Sequence, residues 1–425
     1  MRPRAVIAGL LAASLSVSAV LTTTPARVQA ESVRPDIIAI MVDDLGYLPG
    51  NPVLKRLPNI RQTFIGGGLE LRRMYGQTPL CSPGRANFLT GQNSLHNGVT
   101  ANTSGAINPR RSVAWALQRA GYHSSLVGKY FIDWGMSSEP EGWSDVSLFH
   151  DPQKLTAKSV ESIQRAPTSQ PLFAWVSSTA PHRCDPNAYP DYDCRLPYVP
   201  ERLRGAPECQ GIAPFKPPTY RTWTRQKSIP GTMPKWPLGW DLRSICESML
   251  QVDEAVAAIT AAQQERGRPA YYFLFSDNGM SWGQKGLPGK RVPTSTRLPM
   301  FVAGPGVAKG VYSGKLLSNI DIAPTMATLG RASMPWVDGR PFTKLLRGKS
   351  FDGRKRVLEH SFTPRAKWSA VRYKNWRYIR WADGRKQLYN LRQDRWESTN
   401  LAKKKPAMVK RLNAELNQLL RRSRT

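Results

Sequence analysis

The chain has 425 residues, of which 61 are lysine or arginine and 30 are aspartate or glutamate, so its formal net charge at pH 7 is +31. Its length suits one large domain with a smaller appendage, and beyond the first 30 residues no apolar run is long enough to predict a membrane span. So basic a chain favours nucleic acid, an anionic cell-wall polymer or a sulfated polysaccharide as its partner, although the same charge also keeps a protein soluble. No helix-turn-helix, zinc finger or aromatic RNA-binding signature is present in the sequence, and we therefore predict no nucleic-acid partner.

The first 30 residues have the pattern of a secretory signal peptide. Two arginines precede an apolar run over residues 5–21, and Val-Gln-Ala at 28–30 is typical of a cleavage site. A membrane anchor would need about 20 apolar residues, and three serines interrupt this run. We expect the mature protein to be secreted, either free outside the cell or held on the cell wall.

An apolar run at residues 37–42 has the length of a strand and ends at two adjacent carboxylates, Asp43 and Asp44. A run without polar positions is typical of a central parallel strand that helices cover on both faces. Ligands gather at the carboxyl ends of such strands. Because adjacent carboxylates repel each other unless a cation lies between them, the pair predicts a cation site; a turn with solvated aspartates is the alternative.

Residues 80–92 place a cysteine at the start of a predicted short helix. Pro83 fits the first helical turn, and Arg85 lies about one turn after Cys81 on the same side. A sulfur at a helix N-terminus beside a guanidinium suits an anion. A buried structural cysteine ahead of a capped helix is the alternative.

Further apolar runs along the chain alternate with helical or irregular segments. A helix is predicted from residue 111 to 120, and strands are predicted at 122–127, 172–176 and 271–275. This alternation predicts an α/β fold with a large, mixed and mostly parallel sheet between helices. The polar residues that follow the three strands include Lys129, His182, Asp277 and Asn278.

The remaining four cysteines, Cys184, Cys194, Cys209 and Cys246, fall within one stretch. In an exported protein they imply two disulfides, with three possible pairings. The unpaired Cys81 is then the candidate for chemistry. Residues 185–240 have little periodicity and are expected to form a substrate-facing loop system, with an ordinary surface insertion as the alternative.

The pattern of apolar and polar residues changes after residue 350. Residues 368–381 alternate as antiparallel strands do, with turns at 374–375 and 383–384, and a final helix is predicted from about 406 to 420. We therefore predict a main domain at 31–350 and a small C-terminal α+β subdomain at 351–425.

The pattern Cys-x-Pro-x-Arg at residues 81–85, followed by Leu-Thr-Gly, resembles the signature of the type I sulfatases, whose cysteine is oxidised to formylglycine (3-oxoalanine) after synthesis. Other segments resemble landmarks of the same family, and the likeness covers nearly the whole mature chain. They are Val-Asp-Asp-Leu-Gly at 42–46, Gly-Lys at 128–129, Ala-Pro-His at 180–182, Ser-Asp-Asn-Gly at 276–279 and Asn-Ile-Asp-Ile-Ala-Pro-Thr at 319–325. The resemblance implies the alkaline-phosphatase-like sulfatase fold. Gly-Lys-Tyr at 128–130, Leu-His-Asn at 95–97 and Leu-Pro-Gly-Lys-Arg at 287–291 resemble the branch of the N-acetylglucosamine-6-sulfatases and the extracellular heparan endosulfatases.

The resemblance also implies a role for each matching residue. Hydrated formylglycine at Cys81, made by a formylglycine-generating enzyme, would attack the sulfur of a sulfate ester, for example N-acetylglucosamine 6-sulfate. His182, aided by Lys290, would protonate the leaving alcohol. Arg85, Lys129 and Lys290 would bind the sulfate oxygens. One divalent cation, Ca²⁺, would be held by Asp43, Asp44, Asp277 and Asn278.

The sequence departs from the family pattern at two positions. Many sulfatases have a histidine where this chain has Phe131, so His96 or Asp133 is expected to take over its proton transfer, or sulfate release is expected to be slower. Lys285 also stands where many relatives have histidine. Two other functions remain open: a phosphate or phosphonate monoester hydrolase of the same superfamily, and an inactive protein that binds anionic glycans.

Overall fold

The computed structural model describes residues 33–102, 107–131, 140–184, 196–220, 239–285 and 287–422, together with Met1 and five single residues between 185 and 195. Within these ranges no helix is both long enough and apolar enough to cross a membrane. The predicted signal peptide, apart from Met1, lies outside the described residues. So do Asp133 and residues 221–238 of the predicted substrate-facing loop.

Seventeen strands occur in the described parts of the chain. They are β1 (Asp36–Val42), β2 (Gly68–Leu71), β3 (Met74–Tyr75), β4 (His123–Gly128), β5 (Asp145–Leu148), β6 (Leu172–Ser177), β7 (Ala270–Ser276), β8 (Ser281–Trp282), β9 (Pro288–Gly289), β10 (Arg297–Leu298), β11 (Met300–Ala303), β12 (Val311–Ser313), β13 (Leu317–Ser318), β14 (Arg356–Ser361), β15 (Trp368–Tyr373), β16 (Trp376–Trp381) and β17 (Lys386–Asn390).

Eight of these strands form the main sheet, in the order β12-β2-β11-β7-β1-β6-β4-β5. Strands β7, β1, β6, β4 and β5 run parallel to one another. Strand β11 is antiparallel to both β7 and β2, whereas β12 is parallel to β2. The predicted mixed, mostly parallel sheet is confirmed.

The burial of β1 shows why its sequence has no polar positions between Asp36 and Asp43. Ile37, Ala39 and Met41 belong to one hydrophobic cluster, and the intervening residues 38, 40 and 42 belong to another. Since successive side chains of a strand point to opposite faces, both faces of β1 are covered by apolar residues. The strand therefore reaches the edge of the sheet with its first polar side chains at residues 43 and 44.

Helices pack on both faces of the main sheet, and the last helix packs on the C-terminal sheet. They are α1 (Pro58–Ile60), α2 (Cys81–Thr90), α3 (Ser94–Asn97), α4 (Val113–Arg119), α5 (Leu155–Arg165), α6 (Leu242–Glu265), α7 (Ile322–Leu329), α8 (Thr343–Leu346) and α9 (Pro406–Arg422). Helices α5 and α6 pack with residues 38, 40 and 42, and helices α2, α4 and α7 pack on the opposite face. Neither α5 nor α6 is among the elements predicted from the sequence.

The C-terminal part contains the predicted antiparallel sheet, in the order β14-β15-β16-β17, and the predicted final helix. Leu412 and Leu416 of α9 are buried against the apolar side chains of this sheet. The antiparallel C-terminal subdomain is thus confirmed. Residues 34–425 form one compact unit, so the boundary at residue 350 stays a prediction.

Candidate active site

All nine predicted site residues lie in one network of contacts at the carboxyl edge of the main sheet. Strands β1, β4 and β7 end directly before their polar residues, and the segment after β6 supplies the histidine. Helix α2 and the loop after β9 complete the group. We call it the strand-edge cluster, and it consists of Asp43, Asp44, Cys81, Arg85, Lys129, His182, Asp277, Asn278 and Lys290.

Two glycines allow the elements to approach so closely. A Cβ atom on Gly84 of α2 would lie only 2.0 Å from the carbonyl oxygen of Asp277, so the first turn of the helix rests directly on the end of β7. Gly128 has φ +95°, and a Cβ there would lie 2.2 Å from the carbonyl oxygen of Ser177. Glycine tolerates both conditions, and Lys129 is thereby directed into the cluster.

Cys81 is the first residue of α2 and is buried. Its Sγ lies 2.9 Å from Nζ of Lys290 and 3.5 Å from Oδ1 of Asp43. Burial raises the pKa of the Cys81 thiol to about 12, and the charge of Asp43 acts in the same direction.

The other four cysteines form two disulfides, as predicted. Cys184 is bonded to Cys194, and Cys209 is bonded to Cys246. Of the three pairings that the sequence leaves open, the structure has the one that joins neighbours in the chain. Cys81 is therefore free.

Arg85 is fully buried and ties several strand ends together. Its Nε donates to Oδ2 of Asp277 at 3.0 Å, and its Nη2 lies 3.4 Å from Oδ2 of Asp43. Its Nη1 donates to Oγ of Ser177 at 2.6 Å and to the carbonyl oxygen of Lys129 at 2.7 Å. Every nitrogen of this guanidinium has a protein partner, which indicates that Arg85 orients the carboxylates. Ser177 is absent from the predicted site; its signal is a polar residue that ends a buried strand at the same edge.

The carboxylates differ in their electrostatic surroundings. Burial would raise the pKa of Asp43, but Lys129, His182 and Arg85 outweigh it and hold that pKa well below its usual range. Burial and then the charge of Asp43 raise the pKa of Asp277 to about 7. Lys129 contacts Oδ2 of Asp43 directly. The protonation states of Asp43 and Asp277 thus depend on neighbouring charges.

The residues of the cluster fit a divalent cation. Oδ1 of Asn278 is buried and accepts no hydrogen bond from any described residue, while its Nδ2 donates to Oδ1 of Asp44 at 2.7 Å. A buried acceptor without a donor is satisfied when it ligates a cation. Oxygen atoms of Asp43 and Asp44, the sulfur of Cys81 and a ring nitrogen of His182 lie within 4.8 Å of one another, and the two carboxylates are the oxygen donors of this group. Oxygen ligands of this kind favour Ca²⁺ or Mg²⁺.

His182 presents one ring nitrogen to the cluster. Its Nδ1 lies 2.6 Å from the carbonyl oxygen of Arg183, and because a carbonyl can only accept, Nδ1 carries a proton. Its Nε2 lies 3.4 Å from Oδ2 of Asp44. Burial lowers the pKa of this imidazole. Nε2 is therefore the nitrogen that can exchange a proton with a ligand in the cluster.

The described residues tied to the two departures from the family pattern each contact a residue outside the cluster. Phe131 is buried with its ring centroid 4.5 Å from that of Tyr130. His96 Nδ1 lies 2.8 Å from a carboxylate oxygen of Asp338, and Lys285 Nζ lies 2.5 Å from the hydroxyl of Tyr389. No hydrogen bond or ion pair of the described residues joins His96 or Lys285 to the cluster.

Comparison with known proteins identifies relatives along nearly the whole described chain. The sulfatase family profile matches residues 35–332, and a profile of the C-terminal part of N-sulphoglucosamine sulphohydrolase matches residues 283–425. An extracellular sulfatase SULF-1 homolog of Drosophila melanogaster is 26% identical over 366 residues, or 75% of this chain and 32% of the fly protein. N-acetylglucosamine-6-sulfatase of Capra hircus is 26% identical over 374 residues, or 75% of this chain and 65% of that protein. The chain therefore spans about a third of the fly relative and, at 49%, about half of a Caenorhabditis elegans homolog.

Solved structures share the fold. The structure of BT4656 in complex with D-glucosamine-2-N,6-O-disulfate has a TM-score of 0.70 and 19% identity, and the match covers 92% of this chain and 98% of that one. A phosphonate monoester hydrolase from Silicibacter pomeroyi has a TM-score of 0.66 and 20% identity, with 91% and 95% covered. The predicted fold class is confirmed, and these neighbours include enzymes named for different esters.

Proposed function

The chain belongs to the sulfatase family, as predicted from its motifs, and we propose that it is a secreted enzyme that hydrolyses a sulfate ester at the strand-edge cluster. The observation that carries the proposal is the position of Cys81, which is free, buried and in contact with Lys290 and Asp43. A nucleophile at this position would lie among groups suited to an anionic ester, because lysine ammonium groups neutralise the oxygens on which charge develops.

The proposed nucleophile is formylglycine, formed from Cys81 by a formylglycine-generating enzyme during maturation. When hydrated, its aldehyde supplies a hydroxyl that attacks sulfur, and the covalent route replaces one difficult displacement with two easier steps. Lys290 would hold this group and the ester together, since its ammonium already contacts both Cys81 Sγ and, at 2.7 Å, Oδ1 of Asp44.

The proposed cation is Ca²⁺, held by Asp43, Asp44, Asp277 and Asn278. When bound, it supplies positive charge that stabilises the sulfate oxygens in the transition state. Support comes from the buried Asn278 oxygen, to which no residue in the described part of the chain donates. Within this arrangement Arg85 would orient two of the cation ligands, because its hydrogen bonds hold the carboxylates of Asp277 and Asp43 in position. This differs from direct sulfate binding, the role that the family resemblance implies for it.

His182 and Lys129 complete the proposed mechanism. The proton on His182 Nδ1 is bound by the Arg183 carbonyl, so Nε2, once the ring has taken up a second proton, is the atom that would deliver a proton to the leaving oxygen. Lys129, placed by Gly128 and in contact with Asp43, would bind a sulfate oxygen. As substrate we propose a sulfated sugar such as N-acetylglucosamine 6-sulfate, because relatives bear the names of extracellular sulfatases and N-acetylglucosamine-6-sulfatases.

The test compares Cys81→Ala with Ser82→Ala, its neighbour on the same helical turn. Ser82 Oγ lies 3.4 Å from the carbonyl oxygen of Asn102 and is not part of the cluster. We expect Cys81→Ala to abolish hydrolysis of an aryl sulfate and Ser82→Ala to retain most of it, while mass spectrometry finds formylglycine in the wild-type peptide. Full activity of Cys81→Ala would contradict the proposal.

Two other outcomes would select the alternatives. Faster turnover of an aryl phosphonate than of the aryl sulfate of the same alcohol would favour the phosphonate monoester hydrolase, an ester class represented among the structural neighbours. An unmodified thiol at residue 81, together with no turnover of either ester, would favour a protein that binds anionic glycans without hydrolysing them.

A further inference from the structure

A second concave feature lies between the loop after β1, the β3–β10 pair and the C-terminal sheet. This cavity has a volume of about 500 Å³, and its lining includes none of the nine residues of the strand-edge cluster. Met280 and Trp282 line it and follow Asn278 closely in the chain, so the cavity lies near the cluster without being part of it. We call it the arginine cavity, because its wall includes Arg72, Arg73, Arg297, Arg372 and Arg395.

Two of the five arginines are neutralised by carboxylates. Arg72 pairs with Glu70 at 2.9 Å, and Arg372 pairs with Glu359 at 2.8 Å. Among the described residues of the lining the one acidic residue is Glu397, which lies within 2.8 Å of a further arginine. These pairs leave the other three arginines as the source of positive charge in the cavity.

Arg73, Arg297 and Arg395 have no carboxylate partner among the described residues. Arg297 donates from Nε and Nη2 to the carbonyl oxygen of Arg72, at 3.0 and 2.6 Å, and its guanidinium lies 3.8 Å from the ring centroid of Tyr47. Arg73 donates to the carbonyl oxygen of Lys374 at 2.7 Å. Because these partners are neutral, they fix two of the guanidinium groups in place and leave their charge uncompensated.

The rest of the lining suits a sugar ring. Tyr47 and Trp396 are partly exposed and provide aromatic surfaces, and the guanidinium of Arg395 lies 5.5 Å from the ring centroid of Trp396. Gln284 belongs to the lining and adds an uncharged hydrogen-bonding group for hydroxyls, as do Thr294 and Asn375. Cavities of about 300–1,000 Å³ are typical of small-ligand sites.

We propose that the arginine cavity binds a sulfated unit of an oligosaccharide, at a site separate from the one where the ester is cleaved. Guanidinium groups bind sulfate and carboxylate oxygens through paired hydrogen bonds, and aromatic faces pack against sugar rings. The choice of a sulfated sugar over another polyanion rests on the proposed sulfatase function. Bound there, a chain would be held on the enzyme by a unit other than the one that is cleaved, which raises the effective concentration of the remainder at the strand-edge cluster.

The test is a charge-reversal pair in the cavity, Arg73→Glu with Arg395→Glu, and a matched pair outside it, Arg61→Glu with Arg119→Glu. All four positions are at least partly exposed, and the two pairs change the net charge equally. Isothermal titration with a heparin-derived octasaccharide is done in the Cys81→Ala background, so that no ester is cleaved. We expect the cavity pair to weaken binding about tenfold more than the outside pair, as the loss of charge-assisted hydrogen bonds predicts.

The same pairs made in the active enzyme separate this proposal from the sulfatase proposal. For a small aryl sulfate we expect kcat/KM of the cavity pair to equal that of the outside pair, because such a substrate does not reach the cavity. If wild-type enzyme hydrolyses no sulfate ester, the sulfatase proposal fails, while the titration still decides on the cavity. Equal loss of octasaccharide binding in both pairs would overturn the cavity proposal, as would a single-stranded DNA that binds the cavity more tightly than the octasaccharide does. If the double variant fails to fold, Arg395→Glu alone, at an exposed position, gives the same comparison with Arg119→Glu.

Discussion

Replacing Glu359 by glutamine should destabilise the whole chain, because this carboxylate is the centre of a buried ion network. Glu359 lies on β14 with its side chain fully buried, 2.8 Å from Nε of Arg372 and 2.9 Å from Nε of Arg377. Thr296, which precedes β10, donates to it at 2.6 Å. Burial would raise the pKa of Glu359, but Arg372 and then Arg377 outweigh it and hold that pKa below its usual value. The side chain is therefore charged at neutral pH.

The expected magnitude follows from what remains after the change. Glutamine keeps the size of the side chain but leaves two buried guanidinium groups with one carboxylate, Glu397, which lies 2.8 Å from Arg377 and 3.8 Å from Arg372. Removing one partner of a buried ion pair costs about 3–5 kcal/mol, because a buried charge is left uncompensated. We expect the free energy of unfolding to fall by about that amount.

Urea denaturation followed by circular dichroism measures this difference. The control is Glu161→Gln on the surface of α5, where the carboxylate pairs with Lys158 at 2.7 Å and little change is expected. Since the folded-state pKa of Glu359 is lowered, its stabilisation is present above the unfolded-state pKa and is lost as pH falls through the folded-state value. The glutamine variant should therefore lose part of the acid dependence of stability. Equal midpoints for both variants at pH 7, with equal m-values, would refute the reasoning.

Three further predictions concern the metal, the disulfide that closes the longer loop, and the substrate. Chelation should lower activity, Ca²⁺ should restore it, and Asp277→Ala should reduce metal content measured by mass spectrometry; a metal-free preparation with full activity would contradict the cation site. Replacing Cys209 and Cys246 by alanine should lower the free energy of unfolding by about 4 kcal/mol, because the bond closes a loop with a sequence separation of 37, and unchanged stability in urea would argue against this. Salt should lower kcat/KM for a sulfated oligosaccharide more than for an aryl sulfate, since surface charge is screened beyond about 8 Å at physiological ionic strength; a ratio independent of salt would leave the polymer substrate without support.

The carboxylates of the strand-edge cluster were predictable because they follow strands that contain an uninterrupted apolar run, whereas Cys81, Arg85 and Lys290 were found by their motifs. Strand β1 has apolar residues at every position from 37 to 42 since both of its faces are covered, and its polar residues can begin only where the sheet ends. Asp277 follows β7 in the same way. The parallel arrangement then brings these ends to one edge, whatever the sequence separation between them.

Helix α6 was not predicted, because its sequence lacks the simple apolar pattern that β1 and β7 have. It carries buried polar residues, among them Glu247, Gln251 and Asp253, so its sequence lacks a clear apolar stripe. Asp253, for example, accepts a hydrogen bond from the backbone of Ile60 at 2.7 Å, a partner almost 200 residues away in the chain. Periodicity indicates a helix where one face is polar because it meets water, whereas α6 has polar residues on faces that are buried within the protein.

The arginine cavity could not be predicted from the sequence, because its residues come from distant parts of the chain. Its three uncompensated arginines come from the turn between β2 and β3, from β10 and from the segment after β17, and nothing in their spacing predicts that they meet. The net charge of +31 predicts that the surface is basic, but it does not show where on the surface the positive charge is concentrated. The carboxylate partners that neutralise other arginines are equally distant in sequence, as the pair of Arg372 and Glu359 shows.

The ion pairs of the two sites show that the strand-edge cluster and the arginine cavity differ in their net charge. In the strand-edge cluster, the three carboxylates of Asp43, Asp44 and Asp277 are matched by Arg85, Lys129 and Lys290, so the formal charges of these six side chains cancel when all three carboxylates are ionised, as ligands of a cation are. A site without net charge has little attraction for sulfate, and a divalent cation held by the carboxylates would supply the surplus that the cluster lacks. In the arginine cavity the surplus is provided by arginine side chains. Cleavage at the cluster should therefore depend on the cation, whereas binding of a sulfated unit in the cavity should not, and the two sites can be separated by removing the metal.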